Sequence, residues 1–166
     1  MGFTKTTASF TLAILATFFL MSAANPFCDT AKDKVLCMQM TKDAKTWDVA
    51  MTNALNAALE KAKCGKKIVD NIALKLPGNL KPQTKDSIAE TCHEAYENII
   101  DSINKSIGVV KNDPTLALNN YLSAAAFSDC TDSLNEFEIS LVEATNFDGE
   151  ILKLTSTLLA IAGKKP

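Results

Sequence analysis

Met51, Leu55, Ala58, Ala62, Gly65, Val69, Ile72 and Leu76 fall alternately four and three residues apart. That spacing places all of them on one side of a helix and leaves the other side polar, the pattern of a helix packed in a bundle. A second seam follows at Ile88, Cys92, Ala95, Ile99, Ile103, Ile107 and Val110. The period-2 alternation of a half-buried strand is absent, and β-branched or aromatic runs are few. Leu76-Pro77-Gly78-Asn79, with Pro82 beyond it, separates the two seams, since Pro and Gly interrupt helices. Asn112-Asp113-Pro114 closes the second helix and opens a third, with Asp113 as N-cap and Pro114 at the first helical position. The third helix carries Leu118, Leu122 and Ala125; it is expected to bend at Phe127-Ser128-Asp129 and to continue through Leu134, Phe137 and Leu141. Asn146-Phe147-Asp148-Gly149 reads as the next turn. The last helix then presents Ile151, Leu154, Leu158 and Ile161 before Gly163. Residues 27–41 are too short for a full bundle helix and read as a separate N-terminal element. The expected fold is all-α, an up-down four-helix bundle, with Trp47 near the start of the first long helix as a core plug or hairpin-packing residue in preference to a sugar platform.

The first two dozen residues set the compartment. Lys5 is followed by an apolar run from Phe10 to Met21, and Ser22-Ala23-Ala24 supplies small residues where a protease would cut. That order is the order of a secretory signal peptide. A membrane span needs about 20 apolar residues, and this run is shorter and stops at Asn25-Pro26. Residues 1–24 are therefore expected to be removed, and the chain lacks an ER-retention tetrapeptide, so secretion is the expected fate. Loss of Lys5 takes the formal charge from −2 to −3. Every basic residue is Lys, and without Arg or a basic run nucleic-acid binding is not expected.

In an oxidising compartment the five cysteines, Cys28, Cys37, Cys64, Cys92 and Cys130, become staples. Five thiols allow many pairings, and spacing alone does not choose among them. Eight residues separate Cys28 from Cys37, so a turn can bring them together. Cys92 and Cys130 lie on successive helices, and a bond between them would close a loop worth roughly 3–4 kcal/mol. Cys64 is left over beside Gly65 in a lysine-rich patch, either as a semi-buried bystander or as an intermolecular disulfide partner.

Catalytic constellations are missing. His93, the sole histidine, is adjacent to Cys92 and about 100° away from it around the helix. A nucleophilic Cys–His pair therefore does not form, and one histidine with staple cysteines leaves no tetrahedral metal set. Cys64-Gly65-Lys66-Lys67 lacks the spacing and the strand of a phosphate loop. Neither a metal nor a cofactor is expected. Asp129, Asp132 and Glu136 read first as a solvated N-terminal turn of a helix, where the dipole favours carboxylates, and second as a partner interface. Asn104-Lys105-Ser106 is an N-glycosylation sequon.

Several segments together carry a family resemblance. They are the leader, Cys28-x8-Cys37, Cys92-His93-Glu94-Ala95-Tyr96 continuing to Ile100-Asp101-Ser102, Tyr121-Leu122-Ser123-Ala124-Ala125-Ala126, Cys130-Thr131-Asp132-Ser133 and Leu158-Leu159-Ala160-Ile161. In these the chain resembles the plant invertase and pectin methylesterase inhibitors. The resemblance implies an N-terminal helical hairpin over 25–41, an inhibitor bundle over 42–166, and disulfides Cys28–Cys37 and Cys92–Cys130. It also implies a non-catalytic role in the cell wall, bound to a protein partner and with no membrane association after leader removal. Invertase inhibitors of the better-known type insert Pro-Lys-Phe into the sucrose-cleaving cleft, and the matching place here reads Pro114-Thr115-Leu116. Pectin methylesterase inhibitors lay the second and third bundle helices over the pectin groove and commonly have Thr just before the last cysteine, where this chain has Asp129. The implied contact residues are Asp129, Asp132, Ser133, Tyr96 and Asn119, with pectin methylesterase preferred as target and acid invertase second. A different class remains open, a secreted structural or allergen-like helical protein without inhibitory activity. Lipid-transfer and storage proteins fit less well, because they have eight cysteines or abundant Gln and Arg, and this chain has two Gln and no Arg.

Overall fold

A computed structural model of the protein describes residues 25–112, 116–125 and 129–166, and every regular element within them is helical. A 3-10 turn at Pro26–Cys28 leads into α1 (Lys34–Thr41), followed by α2 (Trp47–Val69), a second 3-10 turn at Ile72–Lys75, and α3 (Pro82–Val109). Next come α4 (Leu116–Ala125), α5 (Asp129–Glu136) and α6 (Val142–Ala162). The starts of the first three elements are set by short polar side chains. Asn25, Asp33 and Thr46 accept from the N–H groups of Phe27, Leu36 and Val49 at 3.0, 2.9 and 3.5 Å, each satisfying a donor that the helix leaves free. Pro82 opens α3, where its missing N–H costs nothing. Asp48 in the first turn of α2 and Lys66 and Lys67 in its last complement the helix dipole.

The helices close a ring: α2 packs on α3, α3 on α4 and α5, α4 on α6, and α6 back on α2. Both expected seams face inward. Every position of the first is buried, and the second buries Ile88, Cys92, Ala95, Ile99, Ile103 and Val110. Ile107 is only half-buried, and its neighbour Ser106 is buried instead, its hydroxyl donating to the carbonyl of Ser102 at 2.9 Å. One end of the core gathers Trp47, Met51, Leu118, Leu122, Leu158 and Ile161. The other gathers Val69, Ile72, Ile88, Tyr96, Leu134 and Ile139 around the Cys92–Cys130 disulfide. Trp47 fills the first end as expected, and its indole N–H donates to the Ile161 carbonyl at 2.8 Å, which spares the buried ring an unpaired donor.

The structure corrects four expectations. The N-terminal element, expected apart from the bundle, is joined to it: Cys28, Ala31, Cys37 and Met40 belong to the main core, α1 packs on α2 and α6, and the Cys28–Cys37 disulfide ties the 3-10 turn to α1. The helix of the first seam stops at Val69, short of Leu76. The Asn71 side-chain amide takes up the Lys67 carbonyl at 3.1 Å, and Leu76 before Pro77 is extended, as the residue preceding a proline must tend to be.

The third correction concerns α5, which ends at Glu136, leaving Phe137 exposed and Leu141 outside the helix. Glu138 adopts φ 53°, its N–H bonds the Asn135 carbonyl at 3.0 Å, and the Ile139 N–H bonds the Leu134 carbonyl at 2.9 Å. This is a Schellman closure, completed by burial of Ile139 with Leu134. Fourth, Asn146-Phe147-Asp148-Gly149 is not a turn but lies inside α6, which starts at Val142. The expected cap at Asp113-Pro114 and the bend at Phe127-Ser128 lie outside the described residues.

Candidate functional site

On α5, Cys130 and Leu134 point into the core. Residues 129, 132 and 136 follow at helical spacings of three and four and so share the opposite face, with residue 133 on its flank. Asp129, Asp132 and Glu136 are exposed and Ser133 is half-buried. Among the described residues none of these carboxylates forms an ion pair. The result is an uncompensated acidic row. Asn119 is exposed on α4.

Three attachments hold α5 in place. Cys92–Cys130 ties it to α3, and the Schellman closure fixes its far end. The third attachment centres on Asp148 of α6. One carboxylate oxygen accepts from the Tyr96 hydroxyl at 2.8 Å, and the other accepts from Thr131, next to Cys130. The Tyr96 ring is fully buried, against Gly65 of α2. Burial, and then the nearby Asp148 charge, push its phenol far above the usual range, so it remains a donor. One carboxylate thus joins α3, α5 and α6 in an environment that strengthens charge-assisted bonds. The structure therefore corrects the reading of Tyr96 as a contact residue, because a ring with no exposed surface cannot touch a partner. Sequence reasoning missed Asp148, whose local context of Asn, Asp and Gly signals a turn. No local feature reveals partners 17 and 52 residues away.

His93 lies at the surface in a polar cluster that the sequence did not suggest. Its Nδ1 is 2.8 Å from Asp70 Oδ1 and its Nε2 is 3.1 Å from Glu97, while Lys66 Nζ approaches Asp70 at 2.9 Å. Burial works to raise the Asp70 pKa. The hydrogen bonds and charges of Lys66 and His93 together outweigh it and hold the carboxyl below its usual value. This cluster holds α2 against α3, and Cys92 beside it is committed to the disulfide. Cys64 is a free thiol and exposed, not semi-buried. Among the described residues no group of three or more His, Cys, Asp or Glu could hold a metal ion, and no helix is long and apolar enough to cross a membrane.

Residues 22–161 match the family model of the plant invertase/pectin methylesterase inhibitors. The chain belongs to that family. Family members are inhibitors and not enzymes, they bind enzyme partners, and they are extracellular. The inhibitor's fold is similar to that of mutant form A of a pectin methylesterase inhibitor from Arabidopsis, solved by crystallography. The TM-score is 0.66 and the identity 18%, over 84% of this chain and 94% of that one. No curated protein matches it in sequence. Pro114 and Thr115, which stand where invertase inhibitors of the better-known type carry their tripeptide, lie outside the described residues.

Proposed function

We propose that this inhibitor is secreted to the plant cell wall and blocks a pectin methylesterase, using the outer face of α5 with the neighbouring surface of α4. The observation that carries this reading is the unpaired row Asp129, Asp132 and Glu136 on a helix held by a disulfide and by Asp148. Asp129 and Asp132 complement the dipole in the first turn of α5, and an exposed row of like charges without ion pairs also favours encounter with a basic surface. Holding them on a rigid element reduces the entropy lost on binding. Asp132, Ser133 and Asn119 are the proposed contacts alongside Asp129, while Tyr96 and Asp148 act behind them by setting the position of α5. The chain is proposed to have no catalytic activity of its own, since His93 is engaged by Asp70 and Glu97 in a surface ion cluster and Cys92 beside it is committed to the disulfide.

The test is titration of the mature protein against plant pectin methylesterases and acid invertases at mildly acidic pH, beside Asp132→Lys. Reversible, stoichiometric inhibition of a pectin methylesterase is expected, weakened at least tenfold by Asp132→Lys with unchanged helicity and melting. Because the row is exposed, inhibition should also weaken as salt is added. Inhibition confined to invertases would transfer the assignment to that target. An Asp132→Lys variant of full potency would remove α5 from the interface.

A further inference from the structure

We propose that Asn104 carries an N-linked oligosaccharide and that it is attached before α3 folds. The proposal rests on the reading of residues 1–24 as a secretory leader, which brings the chain past the transferase of the secretory membrane. In the folded protein Asn104 is exposed on α3 and its side chain has no hydrogen-bond partner among the described residues, whereas Ile103 and Ser106 are fully buried. A glycan there projects into solvent without disturbing the core. The folded sequon, however, is not in a form that a transferase can use. The enzyme must grip the asparagine amide and the hydroxyl two residues later together. On a helix those side chains are about 200° apart around the axis and do not face each other. Ser106 is moreover inside the bundle, with its hydroxyl committed to the Ser102 carbonyl at 2.9 Å.

Synthesis order makes the early reaction feasible. Cys130, which locks α5 onto α3 through Cys92, lies 26 residues after Asn104 and enters the lumen later. The sequon therefore reaches the transferase while α3 still lacks α4, α5 and α6, against which it packs or is fastened. In the transfer, the Asn104 amide nitrogen forms a bond to the anomeric carbon of an oligosaccharide carried on a polyprenyl pyrophosphate. The bond from that carbon to the pyrophosphate oxygen breaks, the lipid pyrophosphate departs with the electron pair, and the amide proton passes to a base of the transferase.

The test expresses the full chain in a eukaryotic secretory host, once with its own leader and once with a proven foreign leader, and treats the secreted protein with peptide N-glycosidase. A single step down in mass is expected, with Asp found at position 104 after release; Asn104→Gln should abolish the step entirely. In parallel, the purified non-glycosylated protein is offered to the transferase with its lipid-linked donor, either folded or reduced and unfolded. Only the unfolded chain should be modified. Secretion of an unmodified chain behind the foreign leader would overturn the site, and modification of the folded chain would overturn the timing. Failure of the native leader alone, with glycosylation behind the foreign one, would count against the leader and leave Asn104 as the acceptor.

Discussion

Gly65→Ala opposes two well-defined effects and shows which of them governs the bundle. Gly65 lies in the interior of α2 without a positive φ, so its backbone does not require glycine. Helix propensity alone says that alanine there should stabilise the protein by about 1 kcal/mol. An added Cβ, however, would stand 3.1 Å from Cδ1 and Cζ of Tyr96 and closer still to Cε1. The ring has little freedom to withdraw. It is fully buried, its hydroxyl is bonded to Asp148, and Cys92, one turn earlier on α3, is fixed by its disulfide. Overpacking of a close-packed core costs about 1–3 kcal/mol, and displacing the hydroxyl from a carboxylate adds about 1.5–3 kcal/mol. After subtraction of the propensity gain, Gly65→Ala should destabilise by roughly 1.5–5 kcal/mol. Urea unfolding followed by circular dichroism at fixed disulfide state should show a lowered midpoint with an unchanged slope. In a Tyr96→Leu background the methyl has room, so the same substitution should be neutral or stabilising by up to about 1 kcal/mol. If Gly65→Ala stabilises the wild-type chain, or costs the same in both backgrounds, the steric argument is wrong.

Glu138→Gly should stabilise the fold by about 0.5–1 kcal/mol in the same unfolding assay, since the left-handed position costs a non-glycine residue more than glycine loses in chain entropy. The two disulfides should differ in weight. With sequence separations of 38 and 9, the chain-entropy estimate assigns about 4 kcal/mol to Cys92–Cys130 and roughly 2.5 kcal/mol to Cys28–Cys37. Paired Cys→Ser substitutions should therefore lower the unfolding midpoint more for the first pair. Asp70 has a depressed folded-state pKa, so its contribution is present above the ordinary carboxylate value and is lost as pH falls through the folded value. Asp70→Asn should thus cost less than about 1 kcal/mol at pH 6, because the group is partly exposed, and nothing once the pH is well below the folded-state value. A cost that persists unchanged in acid would show that packing is responsible and not charge.

Most of the burial pattern follows from the chain read by itself. The spacing of Met51 to Leu76 and of Ile88 to Val110 dictates which faces turn inward, because burying an apolar stripe is favourable wherever the helix ends up. The positions of Asp129 and Asp132 outside, with Cys130 and Leu134 inside, follow from the same period. Local reading failed where distant groups decided the outcome. Asn146-Phe147-Asp148-Gly149 has the composition of a turn, yet it is helical because Asp148 finds Tyr96 and Thr131, Ala144 is buried, and Lys61 lies over the Phe147 ring. Those interactions outweigh the weak preference of Asn, Asp and Gly against helix. Gly65 reads as a small seam residue, and only the packing of α3 on α2 shows that it leaves space for a tyrosine ring. His93 meets Asp70 across 23 residues for the same reason. Periodicity along a chain specifies which side of each helix is apolar. It carries no information about which residue on the next helix stands opposite, and in this protein that opposition decides the start of α6, the burial of Tyr96 and the seating of α5.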